Sequence, residues 1–292
     1  MDNSIVKKRI PVLAVILSLL ATGLGQIYSG KLVKGLALFF ISFAFAPVIV
    51  LLADSYSSTF TLAVIIASQL LIVFVFIYAA FDSWKLARSM KEGYTLKEFN
   101  RWYIYAIFII VSLIYPSNMT RSIRDNIIQA YKIPSSSMSP SILRGDYILI
   151  NKTIYRHSPV KRGDVAVFIN PNARHMDFIK RVVAMPGDTV EIKQNRLVIN
   201  GRELGYAKVN GAGVMEEDNN GVKYKISLSG DTLSDFPAAA VPNGMCFMMG
   251  DNRNQSHDSR IFGPVPLADI KGRVEYIYFS TVSMKRFGRF KG

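Results

Sequence analysis

Four uncharged, largely apolar stretches dominate the first 116 positions: residues 10–30, 35–53, 55–81 and 102–120. Each approaches or exceeds the ~20 mostly apolar residues a helix needs to cross the hydrocarbon of a bilayer. No such stretch recurs after Thr120. Short β-branched and aromatic runs take over: Tyr147-Ile148-Leu149-Ile150, Val165-Ala166-Val167-Phe168, Thr189-Val190-Glu191-Ile192, Arg196-Leu197-Val198-Ile199 and Tyr276-Ile277-Tyr278-Phe279. They are separated by turn clusters such as Arg-Gly-Asp, Pro-Gly-Asp and Asn-Gly, the spacing of strands joined by tight turns. The pattern predicts a multi-pass α-helical membrane anchor over residues 1–116, with three or four hydrophobic helices. A mostly-β domain of antiparallel sheets follows over residues 117–292.

The first stretch follows Lys7-Lys8-Arg9 and so has the basic start and apolar centre of a cleavable signal. Three further apolar stretches already supply anchorage, and Gly23-Leu24-Gly25-Gln26 interrupts the run with two helix-weakening glycines and an amide. A bent or re-entrant helix is the expectation, with a fourth full span as the competing count. Basic residues favour the cytoplasmic side. The connection between the third and fourth stretches carries Lys85, Arg88, Lys91, Lys97 and Arg101, and the one between the second and third carries no basic residue. The fourth stretch then runs outward and delivers the β domain to the extracytoplasmic face. Re-entry of the first stretch keeps Lys7, Lys8, Arg9, Lys31 and Lys34 inside.

Composition removes several alternatives. With 50% hydrophobic and 19% charged residues the chain is too apolar for disorder. Cys246 is the single cysteine and there are three histidines, so no intramolecular disulfide and no structural zinc site is expected. The net charge of +14 suits nucleic acid or an anionic surface. No helix-turn-helix, zinc-finger or ribonucleoprotein pattern accompanies it, so the cations read as topology signals and lipid-headgroup partners.

Two segments carry candidate chemistry. In Ile133-Pro134-Ser135-Ser136-Ser137-Met138-Ser139-Pro140 prolines at both ends stiffen a serine-rich turn, which by itself describes an exposed loop. In Asp177-Phe178-Ile179-Lys180-Arg181-Val182-Val183, strand alternation puts Lys180 on the face of Phe178 and Val182, with Arg181 on the other. A desolvated lysine drops several units below its ordinary pKa and becomes able to take a proton from a serine. A lysine that snorkels to solvent from an edge strand satisfies the same pattern.

These segments, together with the run from Met249-Gly250-Asp251-Asn252 through Ser256-His257-Asp258-Ser259-Arg260 to Gly263, resemble the conserved boxes of bacterial type I signal peptidases, the Ser/Lys leader peptidases. Arg144-Gly145-Asp146, Arg162-Gly163-Asp164, Met185-Pro186-Gly187-Asp188 and Gly272-Arg273 match in order, and the resemblance covers residues 121–279. It implies Ser137 as nucleophile and Lys180 as general base. It also implies Ser135 as an oxyanion donor beside the Ser137 N–H, Ser256 as the group orienting the lysine, and Asp258 with Arg260 as a supporting ion pair. His175 and His257 fall at positions the family does not use for catalysis, and no metal or organic cofactor is implied. Asn254-Gln255 departs from the family's usual Asp-Asn.

By the same resemblance, Ile133, Pro134, Met138, Ile142, Phe178 and Ile179 line shallow pockets for small side chains one and three residues before the cut. The implied partners are signal-peptide-bearing pre-proteins and membrane lipid, with no nucleic acid. The implied location is the bacterial cytoplasmic membrane. A related membrane Ser/Lys peptidase with a dedicated pilus or conjugation substrate, or a non-catalytic signal-peptide receptor, remains an alternative at this point. Residues 23–35 also loosely resemble a small two-helix bacterial membrane module.

Overall fold

The computed structural model describes residues 6–55, 58–90, 94–209, 213–228 and 235–292; Lys91 of the basic connection lies outside them. The chain divides into two compact units, Met1–Asp125 and Asn126–Gly292.

In the first unit a short strand β1 (Val6–Lys7) precedes helices α1 (Pro11–Leu20), α2 (Leu24–Tyr28), α3 (Leu32–Ser55) and α4 (Ser58–Ser89); strand β2 (Tyr94–Thr95) and helix α5 (Trp102–Asn126) follow. Ile66–Ser89 and Trp102–Asn126 are long and apolar enough to cross a membrane. Helix α1 is not: its ten residues rise about 15 Å, half of a ~30 Å hydrocarbon core. The chain turns back at Gly23, whose φ of +91° favours glycine.

The glycines of this turn also permit close helix approach. A Cβ at Gly25 would lie 2.1 Å from the Ala14 carbonyl oxygen and 2.8 Å from the Ser83 Cβ, and one at Gly35 would lie 2.5 Å from the Gly23 carbonyl oxygen. Gln26 is fully buried and satisfied: its Nε2 donates to the Ala79 carbonyl (2.8 Å) and to Asp82 (3.1 Å), and its Oε1 accepts from Ser18 (3.3 Å). Such pairing is what apolar surroundings demand of an amide. Strand β1 pairs with β2, and the Asn100 side chain donates to the Ile27 carbonyl at 3.1 Å. Both ends of the α1–α2 hairpin therefore lie at the end of the unit where α4 hands over to α5.

The second unit is built almost entirely from antiparallel strands. Its strands are β3 (Ile128–Lys132), β4 (Asp146–Asn151), β5 (Val165–Asn170), β6 (Ala173–Ala184), β7 (Thr189–Lys193), β8 (Arg196–Ile199), β9 (Arg202–Glu203), β10 (Gly205–Lys208) and β11 (Val214–Asn219). They continue as β12 (Val222–Ser227), β13 (Phe236–Ala240), β14 (Met245–Met249), β15 (Val265–Pro266), β16 (Ile270–Ser280) and β17 (Gly288–Arg289), with two one-turn helices, α6 (Ile154–His157) and α7 (Ser259–Phe262). All five strand runs expected from the sequence fall inside β4, β5, β7, β8 and β16. The main sheet has the order β15-β14-β6-β5-β16-β4-β3, with β17 on β16. Two smaller sheets, β13-β7-β8-β9 and β10-β11-β12, accompany it.

Alternation sorts the β-branched residues into packed cores. Ile148, Ile150, Val165, Val167, Val274 and Ile277 close one cluster with Ile133, Met138 and Ile142; Ala166, Phe168, Val182, Met248 and Phe262 form another. Burying such side chains contributes about 1.5–3 kcal/mol each. Here it also fixes the two elements that matter below, the loop after β3 and the centre of β6.

Candidate active site

The loop after β3 is pinned at its base, where the Ile133 N–H donates to the Asp146 carbonyl and the Gly145 N–H to the Ile133 carbonyl, both at 2.9 Å. Ile133, Met138 and Ile142 are buried, so three apolar anchors hold a turn on which Ser135 and Ser136 are exposed. Ser137, half-buried on this turn, meets Lys180 from β6: the Lys180 Nζ donates to the Ser137 Oγ at 2.8 Å and to the Ile179 carbonyl at 2.9 Å. The lysine is 4% exposed and its ammonium stands 5.4 Å from the centre of the Phe178 ring. Burial pulls its pKa down to about 8; Asp258 and Asp251 oppose the fall and Arg260 adds to it. No carboxylate is hydrogen-bonded to it among the described residues, so desolvation prevails.

Ser135 is exposed, and its Oγ lies 3.4 Å from that of Ser137. Asp258, fully buried, accepts from Arg260 Nε (2.8 Å) and Nη2 (2.7 Å), from the Gly250 N–H (3.0 Å), and caps α7. Burial alone would raise its carboxyl; Arg260 outweighs that and holds it below the usual range. Ser256 stands apart from its expected role. Its hydroxyl is buried without a well-formed hydrogen bond to any group, Lys180 included, although it lies close enough to Asp258 to help hold that carboxyl low.

A cavity of about 430 Å³ opens beside the dyad and is lined by all six residues expected to contact substrate: Ile133, Pro134, Met138, Ile142, Phe178 and Ile179. His257 also lines it, 6.1 Å ring to ring from Phe178. It is exposed, as is His175, and the Ser137 hydroxyl is held by the lysine. Among the described residues no group of three or more His, Cys, Asp or Glu side chains is placed to hold a metal ion.

Sequence reading left three participants without a role. The Asn252 N–H donates to the Ser137 carbonyl (3.1 Å) and its Nδ2 to the Ser136 carbonyl (3.3 Å), strapping the serine loop to the segment after β14. A Cβ at Gly250 would lie 2.5 Å from the same Ser137 carbonyl and 2.2 Å from the Ser256 Oγ, so that position admits only hydrogen. Arg181, placed by alternation on the opposite face of β6 from Lys180, is buried too and forms a fork with Asp251 (2.8 and 2.7 Å) over the Tyr224 ring. Gly250, Asp251 and Asn252 sit in one short motif, which was the available signal; their long-range partners were not.

A serine hydroxyl bonded to a buried lysine is an arrangement able to act as a nucleophile with its own base. The family model described as signal peptidase, peptidase S26, matches residues 100–279. Signal peptidase I of Aquifex aeolicus (strain VF5) is 36% identical over 201 residues, covering 54% of this chain and 78% of that relative. Signal peptidase I P of Bacillus subtilis subsp. natto is 34% identical over 170 residues, covering 56% and 83%. Signal peptidase I T of Bacillus subtilis (strain 168) is 32% identical over 165 residues, covering 56% and 80%. With a match over more than half its length that includes the Ser137 loop, Lys180 and the Gly250–Arg260 segment, the chain belongs to the signal peptidase, peptidase S26 family.

Proposed function

We propose that this chain is a membrane-anchored serine endopeptidase that removes N-terminal signal peptides from exported pre-proteins through an acyl-enzyme on Ser137. The 2.8 Å contact between the Ser137 hydroxyl and a lysine buried beside it carries the reading. Neutral Lys180 takes the Ser137 proton as Oγ attacks the carbonyl carbon of the scissile bond. The Ser135 hydroxyl, 3.4 Å from the Ser137 Oγ, and the Ser137 N–H then stabilise the resulting oxyanion, a donor being typically worth ~2.7–4 kcal/mol. The Lys180 ammonium then returns the proton to the departing amine. In the second half it deprotonates a water, which attacks the ester and releases Ser137. Asp258–Arg260 and Asn252 shape the surrounding loops. The cavity bounded by Ile133, Pro134, Met138, Ile142, Phe178 and Ile179 takes the small side chains before the cut.

The first unit acts as the anchor in the bacterial cytoplasmic membrane, multi-pass, with the catalytic unit on the extracytoplasmic face and lipid around α3, α4 and α5. The hairpin of α1 and α2 supports re-entry over a further span: ten residues reach half-way, and its two ends share the side of Arg88, Lys97 and Arg101. Ser137→Ala and Lys180→Ala should each abolish processing of a pre-protein by the detergent-solubilised full chain. Near-native cleavage by either variant would refute the assignment.

A further inference from the structure

The cavity beside the dyad has a far end, and polar side chains close it. Its two long walls are residues 131–134, at the end of β3, and residues 177–180 of β6. Strand β3 is the last of the main sheet and pairs with β4 alone among the described strands. Residues 177–180 pair with β5 on one edge, and β14 takes up the other edge only from Arg181 onward. Each wall therefore keeps one strand edge without a partner strand among the described residues, the setting in which an extended peptide adds itself.

Three residues before Lys180, Asp177 ties the two walls together. Its Oδ2 accepts from the Tyr131 hydroxyl of β3 at 2.8 Å. The Lys271 Nζ of β16 lies 2.7 Å from Oδ1 and donates to Oδ2 at 2.9 Å. Bonds to an ionised acceptor are the stronger class. Burial, and then the bond to Asp177, push the Tyr131 phenol above its ordinary pKa, so it remains a donor. The Tyr131 ring packs, as Ile179 does, on the core that holds Ile133, Met138 and Ile142. Its position is thus fixed twice, by the ring and by the hydroxyl.

Strand geometry gives this clasp a definite place along a substrate. Residues of an extended chain advance about 3.3 Å each, so Asp177 stands about 10 Å along β6 from Lys180. The third residue before the cut lies about 7 Å upstream of the one whose carbonyl meets Ser137. Its side chain then falls just short of Asp177, against Ile179 and the Tyr131 ring. A larger side chain there needs the ring to move, and that movement breaks a bond to a carboxylate, leaving polar groups without their partners.

On the peptidase reading above, we propose that the Tyr131–Asp177 clasp, pinned by Lys271, sets the size limit for the substrate side chain three residues before the cut. One methylene in an apolar pocket is worth roughly 10–200-fold in kcat/KM, and the clasp keeps this pocket's wall from yielding.

The test compares kcat/KM of the detergent-solubilised full chain for pre-proteins carrying Ala or Leu at the third residue before the cut, and separately Ala or Leu at the first. The unaltered chain should favour Ala at both positions. Tyr131→Phe keeps the ring and removes the donor; it should lower the Ala-over-Leu ratio at the third position at least fivefold and leave the ratio at the first position unchanged. Lys271→Met, which removes the pin without altering the cavity wall, should move the third-position ratio in the same direction by at least twofold. Equal cleavage of the third-position pair by the unaltered chain, a third-position ratio unmoved in either variant, or a similar fall at the first position would overturn the proposal. An error in the Ser137/Lys180 assignment shows separately, as retained cleavage by Ser137→Ala.

Discussion

Lys180 and Arg181 are consecutive residues of one strand, both buried, and they meet opposite fates. On one face Arg181 is held by two oxygens of Asp251, which outweigh the effect of burial and keep its pKa raised. On the other Lys180 has a hydroxyl, a carbonyl and a ring for company, and burial wins, taking it to about 8. The same desolvation cost thus gives a fixed structural charge where a carboxylate is supplied and a usable base where it is withheld. A sheet that separates the two faces keeps these outcomes apart.

The comparison can be broken most severely by giving the reactive face a cation that cannot release its proton. Lys180→Arg should cost roughly 10²–10⁴-fold in kcat, the worth of a general base, while the folded state persists; assays of pre-protein cleavage alongside thermal melts read both. On the structural face, Asp251→Asn strands the buried Arg181 charge and should cost about 3–5 kcal/mol in stability. The double change Arg181→Met with Asp251→Leu should recover most of that loss in denaturant titrations, which identifies the pair as replaceable support.

Removing the oxyanion donor by Ser135→Ala should lower kcat by roughly 10²–10³-fold with KM little changed, measured by steady-state kinetics. The smallest effect sharpens the comparison instead of breaking it. Asp258 raises the Lys180 pKa, so Asp258→Asn should displace the acid limb of the rate profile to lower pH. A limb displaced upward would show that a different group titrates.

Much of this contrast was readable beforehand, but unevenly. Strand alternation around Lys180 and the apolar anchors of the serine loop depend on local spacing, and the main sheet follows it. The family resemblance seen in the Ser137, Lys180 and Gly250–Arg260 segments holds over residues 100–279. The burial of Arg181 was not readable, because Asp251 stands 70 residues further on and nothing local marks the partnership. Likewise Gly23-Leu24-Gly25-Gln26 announced a bend, yet the acceptors of Gln26 lie 53 and 56 residues away on α4. The role expected of Ser256 came from resemblance alone, and its hydroxyl here makes no bond to the lysine. Pairings across long stretches of chain are set by tertiary packing, which periodicity does not encode.

The most direct test is the pH dependence of Ser137 acylation by a serine-reactive acylating agent, followed in the full chain between pH 6 and pH 11. The expected rate rises tenfold per unit from acid pH and levels off near pH 8, and labelling disappears in Lys180→Ala. A rate that is flat across pH 6–9, or one that levels only near the ordinary lysine value of 10.5, would contradict a neutral, buried Lys180 as the base.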